Sequence, residues 1–183
     1  MSQDQFLDVI DRDEAERRFR AALSLAPLGT EMVPLNQALG RILAEDVLAA
    51  VDVPSFDRSN VDGYAVVAAD TIGSSEEIPK KLVLLSGEIA AGSVSLAEVD
   101  QGRGVAIATG GMIPRGADAV VMVEHTDVVG DELLIRRAVT AGGNISFAAT
   151  DIAAGECVLH AGTMLTSRET GVLAAVGISE MKA

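Results

Sequence analysis

The sequence predicts an α+β, β-rich protein with helices at its N-terminal end and a compact, barrel-like β region after them. Two patterns point there. Before about residue 43, apolar residues recur at helical spacing. From there on, short Val, Ile and Leu runs alternate with Gly, Asp, Asn and Pro clusters every ten to twenty residues or so, the rhythm of an antiparallel β region. Composition agrees: 49% of the 183 residues are apolar but only 3% are aromatic and none is Trp, so the core must be built from Ala, Val, Leu and Ile. That length suits one ample domain or two small ones.

The first helix begins at Asp11, which can cap, with Glu14 three residues on. Ala15, Phe19, Ala22, Leu23 and Ala26 form its apolar side, Glu16 and Arg20 pair across one turn of the other, and Pro27 and Gly29 end it. A second, short helix is expected at 35–42, with Pro34 before it and Leu35, Leu39 and Ile42 as its apolar side. Strands are expected at Tyr64–Val67, Leu82–Leu85, Val105–Thr109, Ala119–Val123, Leu133–Ile135 and Cys157–Leu159. Gly130-Asp131 marks a tight hairpin. The end, TSRETGVLAAVGIS, reads as a helix from Thr166 or Ser167 followed by a terminal strand. One pentapeptide echo, Glu88 to Gly92 against Asp151 to Gly155, is explained by shared turn chemistry as well as by duplication.

Charge excludes some functions. Fourteen Lys and Arg against 27 Asp and Glu leave a net of -13, which repels nucleic-acid backbones and anionic membranes, and no basic run reverses it locally. No stretch of about 18 continuous apolar residues suggests a membrane span, and the first ten residues do not read as a signal peptide. A single cysteine fits a reducing cytosol, so a cytoplasmic protein is expected. With Cys157, His125 and His160 as the only Cys and His, any metal is expected to be a hard one held by oxygen.

Familiar motifs fail on inspection. Gly111 to Gly116 has the glycine spacing of a phosphate loop, but Ala117 and Asp118 stand where Lys and Ser or Thr are needed. Gly102-Arg103-Gly104 never completes a dinucleotide fingerprint, since residue 107 is Ile. Cys157 reads as an inert buried thiol and His125 as a surface histidine. What remains is a set of carboxylates and hydroxyls on loops: Asp57, Asp62, Thr109 and Asp151 each adjoin a glycine or a break in an apolar run. Such groups can converge on Mg²⁺, or they can serve local turns.

The stretch PSFDRSNVDGYA (54–65) resembles the P-x-F-D-x-S-x-x-D-G-Y-A signature of the MoeA/gephyrin family, the molybdopterin molybdenumtransferases. VPLNQALGRILAEDVLA (33–49), GEIAAG (87–92), TGGMIPRGADAVVMVEHT (109–126) and GGNISFAATDIAAGECVLHAGTMLT (142–166) follow in the family's order. The resemblance implies an L-shaped homodimer, with an irregular, elongated β domain (residues 1–50 plus 141–183) and a compact β domain (51–140). It implies the insertion of molybdate into adenylated molybdopterin with release of AMP, in the presence of Mg²⁺. By position it makes Asp62, Thr109 and Asp151 the cleft residues: Asp62 and Asp151 as metal or polar substrate ligands, Thr109 as a donor to a phosphate or molybdate oxygen. Asp57, Ser59, Tyr64 and Ser146 then support the loops or touch substrate. The pterin-binding α/β domain of the family is expected to lie outside this chain, which alone should not complete a turnover.

Three departures from the family pattern stand out. Asn60-Val61 replaces Ala-Met, Gly111 replaces the Ala of T-G-A, and in N-I-R-x-x-G-x-D the arginine is Ser146 and the glycine Ala149. One hydroxyl cannot replace the bidentate contacts of a guanidinium. The alternative reading is therefore a divergent, non-catalytic dimerisation module, fused in its parent protein to a different ligand-binding domain. The gene segment following residue 183 discriminates the two.

Overall fold

The structure is a computed structural model that describes residues 10–24, 26, 29–94 and 96–183. It separates into two compact units, Met1–Glu31 and Met32–Ala183.

The first unit carries helix α1, Arg12–Ala21. Asp11 caps it as expected, its Oδ1 accepting from Glu14 N at 2.9 Å, and Glu16 pairs with Arg20. The helix is shorter than its apolar pattern suggested. It closes with i→i+3 bonds from Ala22 N to Phe19 O and from Leu23 N to Arg20 O, a common way to finish a last turn. None of its residues is buried, and Phe19 is 67% exposed, so no packing rewards a longer helix. Pro27, expected to help end it, lies outside the described residues.

The second unit is built from short strands: β1 Met32–Pro34, β2 Val47–Leu48, β3 Arg58–Ser59, β4 Gly63–Val66, β5 Lys80–Ile89 and β6 Arg103–Ile107. They continue as β7 Ala119–Met122, β8 Thr126–Val129, β9 Glu132–Ile135, β10 Ile145–Ser146, β11 Cys157–Leu159 and β12 Glu180–Lys182, with helix α2, Ser167–Ala175, before β12. Six strands form one sheet in the order β7-β4-β6-β5-β9-β8, which curls into a half-barrel. Its pairs are antiparallel except β5 with β6, which run parallel with a bulge between Leu85 and Glu88. The expected antiparallel pairing holds for four of the five pairs of this sheet; at the fifth, the chain after β5 crosses over before returning in the same direction. Consecutive residues of β4 and β7 point to opposite faces, and both faces are covered. Val66 and Val121 join one apolar cluster with Leu82, Leu133 and Ile135; Ala65 and Val120 join another with Ile89, Val105 and Ile107.

A third cluster brings Val33, Ala38, Leu43 and Val47 together with Leu165, Leu173 and Met181. Here β1 pairs with β12 and β2 with β11, both antiparallel. Thr166 and Glu169 form a full capping box on α2, so the helix starts where its cap residues said it would. The expected helix at 35–42 is a single 3-10 turn, Leu35–Gln37. Leu39 and Ile42 are 68% and 50% exposed, while Ala38 and Leu43 are buried. The chain leaves the helical path because Gly40 N donates to Leu165 O and Leu43 N to Thr163 O, tying it to the returning segment. Long-range pairing overrode the local pattern. The Gly130-Asp131 hairpin is present, with Val129 opposite Glu132.

Candidate functional site

The stretch from Val53 to Asp62 contributes only the two residues of β3 to a sheet, so most of its peptide groups must find partners in other loops. They find them on two sides. On one flank, Ser59 N donates to Gly111 O, Gly110 N to Ser59 O, and Ile113 N to Asp57 O, at 2.8–2.9 Å. On the other, Asn60 N donates to Asn144 O, Ala149 N to Pro54 O and Asp151 N to Val53 O, at 2.9–3.0 Å, while β3 pairs with β10. The D-G-Y-A, T-G and D-x-x-x-G loops thus meet at one junction.

Side chains reinforce it. Asp57 Oδ1 accepts from Ala148 N at 2.8 Å, clamping the first loop to the third. Ser59 is buried, and its hydroxyl donates to Val61 O at 2.6 Å. Tyr64, half-buried in β4, packs against the Val66–Val121 cluster. Gly63 has a steric reason to be glycine: a Cβ there would lie 2.0 Å from Val121 O.

At the centre, Asp62 Oδ1 accepts both from Thr109 N, at 2.7 Å, and from Thr109 Oγ1, at 2.8 Å. The backbone bond first, and the hydroxyl bond second, hold the Asp62 carboxyl below the usual aspartate value. It is therefore a stable anion whose Oδ2 makes no hydrogen bond among the described residues. The single Thr109 hydroxyl proton is committed to Asp62 in this arrangement. Asp151 joins the junction through its backbone, and its exposed carboxylate is not part of the Asp62–Thr109 pair.

The departures from the family pattern gather at the same place. Ser146 Oγ donates to Asn60 Oδ1 at 2.6 Å, so two of the altered positions bond each other. Ala149 has φ of +61°, the left-handed region that favours the glycine of the pattern. At Gly111 a Cβ would meet Ile107 Cγ1 at 2.7 Å and Ile89 O at 2.8 Å, leaving no space for the pattern's alanine. Asp118, the residue that spoils the phosphate-loop motif, has structural work instead: its Oδ1 accepts from Ala68 N at 2.6 Å.

Comparison with known proteins places the chain in a family. The description "MoeA N-terminal region (domain I and II)" matches residues 10–177. The chain belongs to this MoeA family. The molybdopterin molybdenumtransferase 2 of Mycobacterium tuberculosis (strain H37Rv) is 40% identical over 149 residues, covering 81% of this chain and 36% of the relative. The molybdopterin molybdenumtransferase of Bacillus subtilis is 40% identical over 156 residues, 83% of this chain and again 36% of the relative. A crystal structure of the molybdopterin biosynthesis MoeA protein from Pyrococcus horikoshii OT3 matches with a TM-score of 0.79 at 42% identity, covering 85% of this chain and 41% of that one. A second from the same organism reaches 0.83 at 37% identity, over 93% and 43%. The chain thus spans little more than a third of the curated relatives' length. No described helix is long and apolar enough to cross a membrane.

Sequence reasoning passed over two features of this MoeA-type fold. Arg58, exposed, sits directly opposite Ser146 in the β3–β10 pair; the signal was an arginine inside the signature loop. Asp46, Cys157 and His160 also come together, although no Cys/His metal cluster was expected. The C-x-x-H spacing of the last two was the available clue.

Two outcomes follow from this geometry. The Asp62 carboxyl should titrate below the ordinary aspartate value by carbon NMR, and Thr109→Val should move it upward. Because the folded value is depressed, the stabilisation is present above the unfolded value and disappears as pH falls through the folded one; the stability gap between wild type and Thr109→Val should shrink over that acid range. Ala149→Gly should relieve the left-handed strain and raise unfolding stability by about 0.5–1 kcal/mol in urea titrations, after allowing for the extra freedom of glycine in the unfolded chain.

Proposed function

We propose that this chain is the N-terminal portion of a molybdopterin molybdenumtransferase, acting in molybdenum cofactor biosynthesis to insert molybdate into adenylated molybdopterin. The observation that carries the reading is the Asp62–Thr109 pair at the meeting of three loops, in a chain of this family. The chemical task is to bring two anions together and release an adenylate, and a divalent cation between oxyanions lowers their repulsion. Mg²⁺ binds through one or two carboxylates and keeps waters and phosphate oxygens as its other ligands. Asp62, ionised and with Oδ2 uncommitted, fits as one such ligand, and the exposed Asp151 carboxylate is the candidate for a second.

In this reading Thr109 is a positioning residue that fixes the Asp62 rotamer. Asp57 and Ser59 hold the loop that carries it, and Tyr64 anchors that loop to the sheet. Arg58 is assigned the anion contact that Ser146, engaged with Asn60, does not make. We assign the compact domain to about 51–140 and the second domain to 1–50 plus 141–183; the separate apolar clusters of the two regions support this. We further infer a cytoplasmic homodimer. The exposed Phe19 of α1 and the exposed Leu23 just beyond its end support association between copies.

The Asn60–Ser146 bond favours the second reading, a non-catalytic dimerisation module, because it occupies the place of a charged contact. One experiment separates the two. Residues 10–177 are joined to the remaining part of the Bacillus subtilis relative, and AMP release and molybdenum insertion are measured. The enzyme reading expects turnover, a loss of at least about tenfold for Asp62→Asn, and a raised KM for Arg58→Ala. A folded chimera without turnover establishes the module instead. For the dimer, light scattering should give twice the chain mass, and Phe19→Asp should shift it toward monomer; a wild-type monomer would refute the association.

A further inference from the structure

We infer that Asp46, Cys157 and His160 form a zinc site, away from the Asp62 junction and with no part in the reaction proposed above. The three come from the bulged ladder between β2 and β11: Cys157 lies opposite Leu48 and Leu159 opposite Val47, with a register shift between them. Asp46 immediately precedes β2 and His160 immediately follows β11, so the antiparallel pairing brings their side chains to the same end. Asp46 Oδ1 accepts from Ala161 N at 2.8 Å, which orients the carboxylate and leaves Oδ2 near His160. One ligand atom from each residue lies within 4.8 Å of the others.

The distances suit a tetrahedral ion. Cys157 Sγ is 3.4 Å from His160 Nδ1, and Nδ1 is 3.5 Å from Asp46 Oδ2. With zinc–sulfur bonds of about 2.3 Å and zinc–nitrogen or –oxygen bonds of about 2.0–2.1 Å, the corresponding tetrahedral edges are about 3.6 and 3.4 Å. Thiolate, imidazole and carboxylate together select a borderline-soft ion such as Zn²⁺ over Mg²⁺ or Ca²⁺. The fourth position faces solvent, since Asp46 and His160 are exposed and Cys157 is half-buried, and a water would complete the site.

The same geometry argues against a Cys-His-Asp nucleophile. In such a relay the thiol meets one ring nitrogen and the carboxylate the other. Here sulfur and oxygen both face Nδ1, and a neutral imidazole cannot accept from one and donate to the other through a single nitrogen. A shared cation satisfies all three lone pairs at once. Bound there, zinc would staple residues 46 and 157–160 and reinforce a ladder of only two short strands.

The full chain, purified free of metal, tests this with Zn²⁺ and Co²⁺ as probes and Mg²⁺ as control. Expected are one zinc per chain by equilibrium dialysis, a thiolate-to-cobalt charge-transfer band, and a thermal midpoint raised by zinc but not by Mg²⁺. Because Cys157 is the sole cysteine, that band can come from no other sulfur. Cys157→Ser should abolish it; His160→Gln and Asp46→Asn should each weaken zinc binding at least about a hundredfold. His125→Gln should bind as wild type. His160 is exposed, so its variant should keep the apo chain's melting point and report on binding alone. No cobalt–thiolate band in the wild type, or zinc held equally well by His160→Gln, would overturn the site and leave a simple hydrogen-bonded cluster.

Discussion

The constraint on which the candidate site depends is that residues 53–62 cannot satisfy their own backbone. A two-residue strand supplies little pairing, and an unpaired buried peptide group costs about 1–3 kcal/mol, more than a made bond returns. The loop therefore holds its path only if 109–113 and 144–152 are both in place beside it. Disrupting either neighbour strands donors and acceptors on the shared one, so the three loops order together. Asp62 inherits its position from this arrangement: the backbone of Thr109 is an invariant donor that stays wherever the T-G loop stays. The junction is a hydrogen-bonded platform for one carboxylate and its threonine.

Much of the fold was legible because its signals are local. The hairpin at Gly130-Asp131, the capping box at Thr166 and Glu169, and the apolar runs of β4 and β7 each carry their own chemistry within a few residues. Misreadings occurred where distant chain decided the outcome. Leu35, Leu39 and Ile42 have helical spacing, yet bonds from Gly40 and Leu43 to the 163–165 segment hold that stretch in turns instead. The apolar run of β5 says strand, but nothing in it says that β6 will lie beside it in parallel; that direction is set by the crossover between them.

The candidate site divides along the same line. That Asp57, Asp62 and Thr109 belong to polar, glycine-flanked turns could be read from the residues; that one aspartate takes both donors of a threonine 47 positions away could not. Asp57 looked equally able to reach a ligand, and the structure commits its Oδ1 to Ala148 N. Asp46 gave no signal at all, sitting 111 residues before Cys157 and just ahead of a strand whose partner only the fold reveals.

The altered positions are best understood as a group, because Asn60 and Val61 lie on the 53–62 loop and Gly111, Ser146 and Ala149 each hydrogen-bond to it. An arginine at 146 would start from β10 directly opposite Arg58, placing two guanidinium groups on adjacent cross-strand positions, where like charges repel. Serine removes that repulsion, and its hydroxyl turns to Asn60, a residue that replaces an alanine with no acceptor to offer. Ala149, three residues along, holds a left-handed backbone so that its N–H can still reach Pro54 O, which keeps the third loop docked despite the strain. The net result is a cross-strand pair with a single arginine, Arg58 on β3 opposite Ser146 on β10, with the loop-to-loop hydrogen bonds intact. Such a pattern changes the charge at the junction while preserving the hydrogen-bonded platform that carries Asp62.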